Sequence, residues 1–362
     1  MSIILKYYKK TMNIAVLVSG GVDSSVALRL LKEQGHQVTA FYLKIWLEDE
    51  LSFLGACPWE EDLHYVRAVC EQLNVPLEII PFQKAYWDTV VAYTIQAVKS
   101  GQTPNPDMLC NQQVKFGAFY DHIGAEFDKV ATGHYAQIFE ENGHFYLKRS
   151  PDTVKDQTYF LALLNQQQLA RALFPIGHLN KMAVRALAKQ YNLATSHRKD
   201  SQGICFLGKL KFNDFIKQYC GEQMGDIIEH ETGQKKGVHK GFWYHTIGQR
   251  QGIRLSGGPW YVVAKDIYKN IIYISRQYYA ADKTRNTFII ATPAWLPENL
   301  NNKLTVKLRH GAEDYACLFK QESADKWHVT IDGNDQGIAA GQFAVFYDNQ
   351  KCLGGSTINE SK

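Results

Sequence analysis

Over the first third of the chain, short apolar runs alternate with longer segments of helical periodicity. Residues 14–18 form an unbroken apolar run, which is typical of a strand buried on both faces of a parallel sheet. After a turn, apolar residues recur at helical spacing from Val22 to Leu31, and Gly35 ends the pattern. The same alternation predicts further strands at 37–43, 77–80 and 129–132 and helices at 59–73 and 85–99.

Strands that alternate with helices at this spacing predict an α/β domain with a doubly wound parallel sheet. In such a sheet, ligands bind at the carboxyl ends of the strands. We therefore expect the functional site in the loops that follow the strands, including Gly133-His134 after the fourth strand.

The loop between the first strand and the first helix reads Ser-Gly-Gly-Val-Asp-Ser-Ser over residues 19–25. Glycines let the backbone approach an anion, hydroxyls donate hydrogen bonds, and a helix N-terminus adds N–H groups and partial positive charge. We expect Asp23 or Ser24 to cap the helix. No Gly-Lys-Ser/Thr follows and no GxGxxG is present, so the loop matches neither common nucleotide fingerprint. The pattern predicts phosphate binding; the alternative is a Ser/Gly-rich turn without a ligand.

A second candidate segment lies at residues 101–111 and reads GQTPNPDMLCN. Its two prolines favour extended chain, after which Asp107 can cap a helix that runs through Phe116 and Phe119. Cys110 then falls in the first turn of that helix, where the positive helix end favours a thiolate. Cys110 is a candidate nucleophile, and the alternative is a buried structural cysteine.

Beyond residue 206 the pattern changes to short strands and glycine-rich turns. Between 206 and 274, cations are interleaved with aromatic side chains such as Trp243 and Tyr244, which suits phosphate contacts beside base stacking. The alternative is a small β domain with a solvated basic face. From Thr287 onward, alternation predicts an antiparallel β-barrel that closes at Gly354-Gly355. We expect three domains, at 1–205, 206–280 and 281–362.

Length and composition fit a globular chain of several domains. At 362 residues it is too long for one core, and its 45% hydrophobic and 21% charged residues are ordinary values. No apolar run is long enough to span a membrane and no signal peptide is present, so we expect a cytoplasmic protein. The net charge is +4, but residues 181–254 hold thirteen Lys and Arg against six Asp and Glu. This basic stretch indicates a polyanionic partner.

Seven cysteines, at positions 57, 70, 110, 205, 220, 317 and 352, include no CxxC pair. The sequence therefore predicts no zinc or other protein-held metal site. Their odd number and the lack of a signal peptide argue against a disulfide framework.

Seven motifs, spread over nearly the whole chain, make the sequence similar to the tRNA-specific 2-thiouridylase (MnmA) family. That family is a branch of the PP-loop ATP pyrophosphatases, which have an adenine nucleotide hydrolase-like fold and adenylate an oxygen of their substrate. In chain order the motifs are SGGVDSS (19–25), NPDMLCN (105–111), GHY (133–135), KDQTYF (155–160), DSQGICF (200–206), YHTIGQR (244–250) and GQFAVFY (341–347).

The resemblance implies roles for individual residues. Cys110 is the nucleophile, Cys205 carries sulfur as a persulfide, and Asp107 positions the base or moves a proton. The target base meets Asn105, Pro106 and Asp107. The ATP site consists of Leu17, Val18, Ser19, Gly20, Gly21, Val22, Asp23, Ser24, Leu43 and Gly133. Further tRNA contacts are His134, Lys155, Asp156, Gln157, Arg309, His310 and Gln342.

The resemblance also implies the reaction, in which ATP adenylates the C2 oxygen of the wobble uridine and a persulfide sulfur replaces it. AMP and pyrophosphate are released, Mg²⁺ accompanies ATP with Asp23 as a candidate ligand, and a disulfide between Cys110 and Cys205 remains. A cysteine desulfurase or a sulfur-relay protein supplies the sulfur. The two cysteines are far apart in sequence, so we expect the polar run 196–202 and Gly203 to form a mobile loop that carries Cys205.

The chain departs from the family pattern at a few positions. Leu17-Val18 stands where the family has Gly-Met, His310 stands where it has Tyr, and the segment around residues 57–59 also differs. None of these changes removes a group that the chemistry requires. Two other classes remain open: a PP-loop synthetase that acts on a small molecule, and a non-catalytic RNA-binding protein with a nucleotide-binding fold.

Overall fold

The computed structural model describes residues 11–45, 59–200, 212–278, 285–291, 293, 304–311 and 313–361. The chain divides into two compact units. The first comprises Met1–Thr89, Asp107–Lys209 and Gln350–Cys352, and the second comprises Val90–Pro106, Leu210–Asn349 and Leu353–Lys362.

The first unit is built on a parallel sheet. Its described strands are β1 (Asn13–Leu17), β2 (Gln37–Lys44), β3 (Leu77–Pro81), β4 (Lys129–Ala131), β5 (Ala136–Glu141), β6 (His144–Arg149) and β7 (Ala172–Leu173). The sheet has the order β3-β2-β1-β4-β7, and every neighbouring pair in it is parallel. β5 and β6 form an antiparallel hairpin, to which Lys351 and Cys352 add. The predicted α/β architecture is confirmed.

Helices follow most strands of this sheet. The described helices of the whole chain are α1 (Val22–Glu33), α2 (Trp59–Leu73), α3 (Gln83–Tyr86), α4 (Ala92–Lys99), α5 (Pro106–Leu109), α6 (Phe119–Ile123), α7 (Thr158–Leu161), α8 (Gln166–Arg171), α9 (Lys181–Gln190) and α10 (Phe212–Cys220). Two π-helical segments, Trp87–Val91 and Cys110–Ala118, directly follow α3 and α5. The helix expected at 85–99 is thus interrupted by a π-helical turn, whereas α2 has the predicted bounds.

The core of the first unit forms around β1. Ile14 and Val16 are fully buried on one face of the strand, where they belong to one cluster with Val26 of α1, Val66 of α2 and Val184 of α9. Ala15 on the opposite face is also fully buried. The apolar run at 14–18 therefore is the doubly covered central strand that its composition predicts.

The second unit contains a mixed four-stranded sheet. Its strands are β8 (Gly225–Glu229), β9 (Lys235–His239), β10 (Tyr261–Asp266) and β11 (Ile271–Ser275), in the order β10-β11-β8-β9. β11 and β8 are parallel, and the other two pairs are antiparallel. A 3₁₀ turn, Phe242–Tyr244, follows β9.

The C-terminal strands of the second unit close into a barrel. They are β12 (Thr287–Ala291), β13 (Thr305–Lys307), β14 (Tyr315–Ser323), β15 (Lys326–Ile331), β16 (Phe343–Asp348) and β17 (Lys351–Ser361). The order is β12-β15-β14-β13-β16-β17, and β12 also pairs with β17. The barrel prediction is confirmed, but closure at Gly354-Gly355 is wrong: β17 runs through both glycines, and Ile358, Glu360 and Ser361 make the closing pairs.

No helix in the described ranges combines the length and the apolar character that a membrane crossing requires.

Candidate active site

The loop after β1 is folded by its own hydroxyl groups. Ser24 Oγ and Ser25 Oγ donate to the carbonyl oxygen of Gly21 at 3.2 and 2.8 Å, and Ser19 N donates to Ser24 Oγ at 3.3 Å. Gly21 is the N-cap of α1 and provides no side-chain cap, so the expectation that Asp23 or Ser24 caps this helix is wrong. The helix begins two or three residues earlier than expected, and both Asp23 and Ser24 lie inside its first turn.

The position of Gly20 leaves no space for a side chain. Its φ is +75°, and a Cβ there would lie 2.6 Å from the carbonyl oxygen of Asp62. Arg198 donates from Nη1 to the Gly20 carbonyl at 2.8 Å, and its Nη2 forms an ion pair with Asp62 at 2.8 Å. The loop is therefore held against α2 by a cation as well as by close backbone packing.

Gly133 brings a second strand end to the same loop. β4 pairs with β1 in parallel register, and a Cβ on Gly133 would lie 2.6 Å from Ser24 N and 2.8 Å from the carbonyl carbon of Asp23. Leu43 lies near the carboxyl end of β2, the other neighbour of β1. The residues predicted for the ATP site thus meet at one edge of the sheet.

Asp23 faces a buried lysine across this edge. Lys181, at the start of α9, places Nζ 2.8 Å from Asp23 Oδ1 and 2.9 Å from Oδ2, and Tyr135 donates its hydroxyl to Oδ1 at 2.7 Å. Burial, followed by the negative charge of Asp23, raises the pKa of Tyr135, so its hydroxyl remains a donor. The side chain of Lys181 is 13% exposed.

Asp200 is the second carboxylate of the cluster. It accepts hydrogen bonds or ion pairs from Lys181 at 2.9 Å, from Lys155 at 2.8 Å and from Arg185. Burial opposes ionisation, but the hydrogen bonds from Lys155 and Lys181 outweigh it and hold the pKa of Asp200 well below its ordinary value. Three cations and two carboxylates therefore meet beside the loop. A third carboxylate, Asp152, accepts from Lys181 N at 2.8 Å, so the formal charges of the cluster balance.

Hydrogen bonds join the residues that follow β4 to the residues that precede α7. Gln157 Oε1 accepts from Tyr135 N, and Gln157 N donates to the Tyr135 carbonyl, both at 2.9 Å. His134 Nδ1 lies 2.7 Å from Thr132 Oγ1, and burial lowers the pKa of His134 well below its ordinary value, with a further contribution from Lys115. His134 is therefore neutral at pH 7.

Asp156 is 6% exposed and uses its carboxylate internally. It accepts from Ser150 N at 3.0 Å and from Thr158 Oγ1 at 2.8 Å. Asp156 thus fixes the turn that presents Lys155 and Gln157, and its contact with tRNA stays a prediction.

Cys110 lies where α5 passes into the π-helical segment. The helix begins at Pro106, so Asp107 is in its first turn and does not cap it as expected. Cys110 is buried, with 2% of the residue exposed. The next residue, Asn111, donates to the Phe160 carbonyl at 3.0 Å and accepts from Lys115 at 2.9 Å. Cys110 is thus tied through Asn111 to α7, which directly follows the Lys155–Asp156–Gln157 turn.

The remaining predicted tRNA residues lie in the second unit. Thr103 N donates to the Ala340 carbonyl at 2.8 Å, so the segment that carries Asn105 and Pro106 runs beside the turn before Gln342. Gln342 Oε1 accepts from Ala339 N at 3.0 Å. Arg309 donates from Nη1 to both carboxylate oxygens of buried Asp335, at 3.0 and 2.7 Å, and His310 is exposed.

The predicted sulfur-carrying loop is described only in part. Cys205, Gly203 and the end of the run 196–202 lie outside the described residues. Arg198 and Asp200, within the described part of that run, are held by ion pairs. In the central sheet, carboxylates partly neutralise the basic side chains: Lys235 pairs with Asp226 and Lys236 with Glu229.

Sequence reasoning assigned no role to Lys181, Arg185, Arg198 or Tyr135. These residues are scattered over the chain, and only the fold brings them to one sheet edge. One signal was available for Lys181: it follows Asn180, which caps α9 through a hydrogen bond to Ala183 N at 2.8 Å. In a doubly wound sheet, the N-terminus of such a helix faces the ligand edge.

The described residues contain no group of three or more His, Cys, Asp or Glu side chains that could hold a metal ion. The arrangement instead offers a glycine-serine loop, a helix N-terminus and a cluster of cations to a polyphosphate. This combination defines a PP-loop nucleotide-binding protein.

Comparison with known proteins supports a narrower assignment. Three family models match in succession: a tRNA methyl transferase HUP domain at residues 12–209, a tRNA methyl transferase PRC-barrel domain at 213–276, and an aminomethyltransferase beta-barrel domain at 285–358. The tRNA-specific 2-thiouridylase MnmA of Parabacteroides distasonis is 46% identical over 97% of this chain and 100% of its own length. The protein of the same name from Porphyromonas gingivalis is 45% identical with the same coverage. The chain belongs to the tRNA-specific 2-thiouridylase family.

Solved structures resemble the chain only weakly. NMN synthetase from Francisella tularensis matches with a TM-score of 0.33 and 16% identity, over 60% of this chain and 79% of that one. This similarity is too low to support an argument.

Proposed function

We propose that the chain is a tRNA-uridine 2-sulfurtransferase. It uses ATP to activate the C2 oxygen of the wobble uridine and replaces that oxygen with sulfur. The observation that carries the proposal is the ion network from Asp23 through Lys181 to Asp200. It connects the phosphate-binding loop to the first residue of the DSQGICF motif, in which Cys205 lies.

The loop and its cations bind the triphosphate. Backbone N–H groups at the start of α1 and the hydroxyl of exposed Ser19 face the phosphates, and Lys181, Lys155 and Arg185 supply positive charge. These cations stabilise the charge that develops on pyrophosphate when the uridine oxygen attacks the α-phosphorus. Pyrophosphate leaves, and the oxygen becomes part of an adenylate.

The residues at this site fit a Mg²⁺ ion that binds together with the nucleotide phosphates. Magnesium usually binds one or two carboxylates together with substrate phosphates and waters, and Asp23 offers a carboxylate beside the loop. When bound, the ion neutralises phosphate charge. Lys181 can keep its pair with Asp200 if Asp23 turns toward the ion.

Asn105, Pro106 and Asp107 meet the flipped uridine, and His134, Lys155 and Gln157 contact the nucleotide or its neighbours. Asp156 acts through the turn that it stabilises. Arg309, His310 and Gln342 contact the tRNA from the second unit. Reaching a base in a folded tRNA requires unstacking it, which costs a few kcal/mol, and contacts with the flipped nucleotide offset about that amount.

Sulfur transfer uses two thiols. The Cys205 persulfide attacks C2 through its terminal sulfur, and AMP leaves with the former carbonyl oxygen. The Cys110 thiolate then attacks the Cys205 sulfur of the bridging S–S bond, so that a Cys110–Cys205 disulfide forms and the thiocarbonyl is released. Because Cys110 is 2% exposed, its thiol must be uncovered when tRNA binds.

A cysteine desulfurase or a sulfur-relay protein supplies the persulfide, and the protein works in the cytoplasm on tRNA. The three-domain division at 1–205, 206–280 and 281–362 assigns the chemistry and the contacts with the target nucleotide to the first domain, and further tRNA contacts to the other two.

A direct test incubates the chain with undermodified tRNA, ATP, Mg²⁺ and sulfide, and then measures 2-thiouridine in the digested tRNA by mass spectrometry. A synthetase that acts on a small molecule finds no acceptor in this mixture, and a non-catalytic RNA-binding protein cleaves no ATP, so neither would form 2-thiouridine. Absence of 2-thiouridine would contradict the proposal.

A further inference from the structure

The segment that carries Asn105 and Pro106 is attached to a buried lysine in the central sheet. Lys265, on β10, donates from Nζ to the Gly101 carbonyl at 2.6 Å and to the His245 carbonyl at 3.1 Å. Both partners are neutral carbonyls, and no carboxylate in the described residues lies within ion-pairing distance of Lys265. Burial lowers the pKa of Lys265 to about 8.

The surroundings of the amine are neutral. His245 is buried and its ring lies 5.5 Å from that of His239. Burial lowers the pKa of His245 to about 4, and the nearby His239 and Lys265 add to this shift, so the imidazole is uncharged at pH 7. A methionine would fill the space of Lys265 without a desolvation cost, so packing alone gives no reason for an amine here.

Gly101 is fixed against the same hairpin. Its φ is +78°, and a Cβ on it would lie 2.6 Å from Ile267 Cγ2. The chain at Gly101 is therefore held by close packing against the Ile267 side chain on one side and by the lysine hydrogen bond to its carbonyl oxygen.

The other side of the segment rests on the barrel. Thr103 N donates to the Ala340 carbonyl, and a Cβ on Gly341 would lie 2.7 Å from Gln102 Cβ and 2.9 Å from Thr103 N. Two residues after Thr103 comes Asn105. The path of the chain into the base-contacting residues is thus defined by these two attachments.

We propose that Lys265 is a positioning residue, which fixes the Gly101–Thr103 chain through the Gly101 carbonyl so that Asn105 and Pro106 meet the target uridine. The proposal rests on the proposed function. Lys265 itself touches neither ATP nor the reacting atoms, and it acts through the backbone that it holds.

The test replaces Lys265 with Met and measures thiolation of undermodified tRNA with ATP and sulfide. A shift of the base-contacting residues by about 1 Å lowers kcat by about tenfold to a hundredfold, and affinity for ATP stays within about twofold of wild type. The Lys265→Arg variant keeps N–H donors at this position and recovers most of the lost kcat. Lys269→Met is the matched control, because Lys269 is an exposed lysine of the same hairpin that pairs only loosely with Asp266 at 3.8 Å.

A lysine that served stability alone would lower the melting temperature and leave kcat per folded molecule unchanged, which would overturn the proposal. If Lys265→Met does not fold, Lys265→Gln takes its place, since the shorter neutral amide cannot reach both carbonyls, and unchanged kcat there would also overturn it. Failure of the wild-type protein to thiolate tRNA would instead contradict the proposed function.

Discussion

At the scale of single residues, the site depends on charges that are paired before any nucleotide arrives. Lys181 sits between Asp23 and Asp200 with 13% of its side chain exposed. Without it, two partly buried carboxylates would face each other across the loop. Lys181 therefore both holds the loop and presents a cation to phosphate.

Replacing Lys181 with Met is expected to destabilise the protein by about 1–3 kcal/mol, because partly buried carboxylates lose a partner. ATP affinity should fall as well, by about tenfold or more, since a hydrogen bond from a cation to phosphate is worth about 1.5–3 kcal/mol. Urea unfolding and calorimetric titration with ATP measure both effects. Lys84→Met is the control: this exposed lysine forms a surface pair with Asp88, and its loss should leave ATP affinity unchanged.

The pH dependence of stability follows from Asp200. Its pKa in the folded protein lies below the ordinary value of 3.8, so the unfolded chain binds a proton first as the pH falls. The stabilisation that Asp200 contributes is therefore complete above about pH 4 to 5 and is lost as the pH falls toward its folded pKa. Unfolding free energies of wild type and Asp200→Asn between about pH 5 and pH 2 should show a shallower slope for the variant. Equal slopes would mean that the neighbouring cations do not lower the pKa of Asp200 in the folded protein.

Among the buried cysteines, we expect Cys110 to react and Cys70 to be structural. Cys110→Ala should abolish release of thiolated tRNA when a cysteine desulfurase supplies persulfide, while ATP still binds with wild-type affinity. Cys70→Ala is the matched control, because Cys70 is also buried but lies in the core beside α1 and β2, where burial, with Glu71, raises its pKa to about 11. Activity in Cys110→Ala equal to that of the control would contradict the two-thiol scheme.

At the scale of secondary-structure elements, the sheet edge is defined by backbone contact between β4 and α1. A Cβ on Gly133 would lie 2.6 Å from Ser24 N, and backbone atoms on both sides cannot yield as a flexible side chain can. Gly133→Ala is therefore expected to lower stability by about 1–3 kcal/mol and to weaken ATP binding.

The matched control for Gly133→Ala is Gly237→Ala on β9. There the added Cβ meets only the flexible end of Leu255 at 3.0 Å, and ATP binding should be unaffected. Thermal unfolding and ATP titration of the two variants make the comparison. Equal ATP affinity in both would show that the spacing between β4 and α1 does not shape the nucleotide site.

The elements that sequence predicts well are those with local patterns. The apolar run before Ser19 and the helical spacing of 59–73 locate β1 and α2 closely, because burial imposes these patterns residue by residue. The helix cap was predicted wrongly, because Gly21, which has no side chain, begins α1 where a capping side chain was expected. Lys181 and Arg198 leave no local pattern at all, since their partners lie far away in sequence and meet them only in the fold.

At the scale of the whole molecule, the comparisons confirm the family. They also confirm the predicted order of folds: a nucleotide-binding domain, then a small β domain, then a C-terminal barrel. The expected domain boundaries and the tRNA-contacting residues stay predictions. A sequence motif specifies which residues are present, whereas the path of a bound tRNA depends on surfaces contributed by separate parts of the chain.

The central claim is that one protein couples ATP cleavage to replacement of a uridine oxygen by sulfur. The most direct measurement follows AMP, pyrophosphate and 2-thiouridine together, in one reaction of the wild-type chain with undermodified tRNA, ATP, Mg²⁺ and sulfide. We predict equal amounts of the three products and none of them when tRNA is omitted. Pyrophosphate release without tRNA, or tRNA binding without 2-thiouridine, would contradict the account.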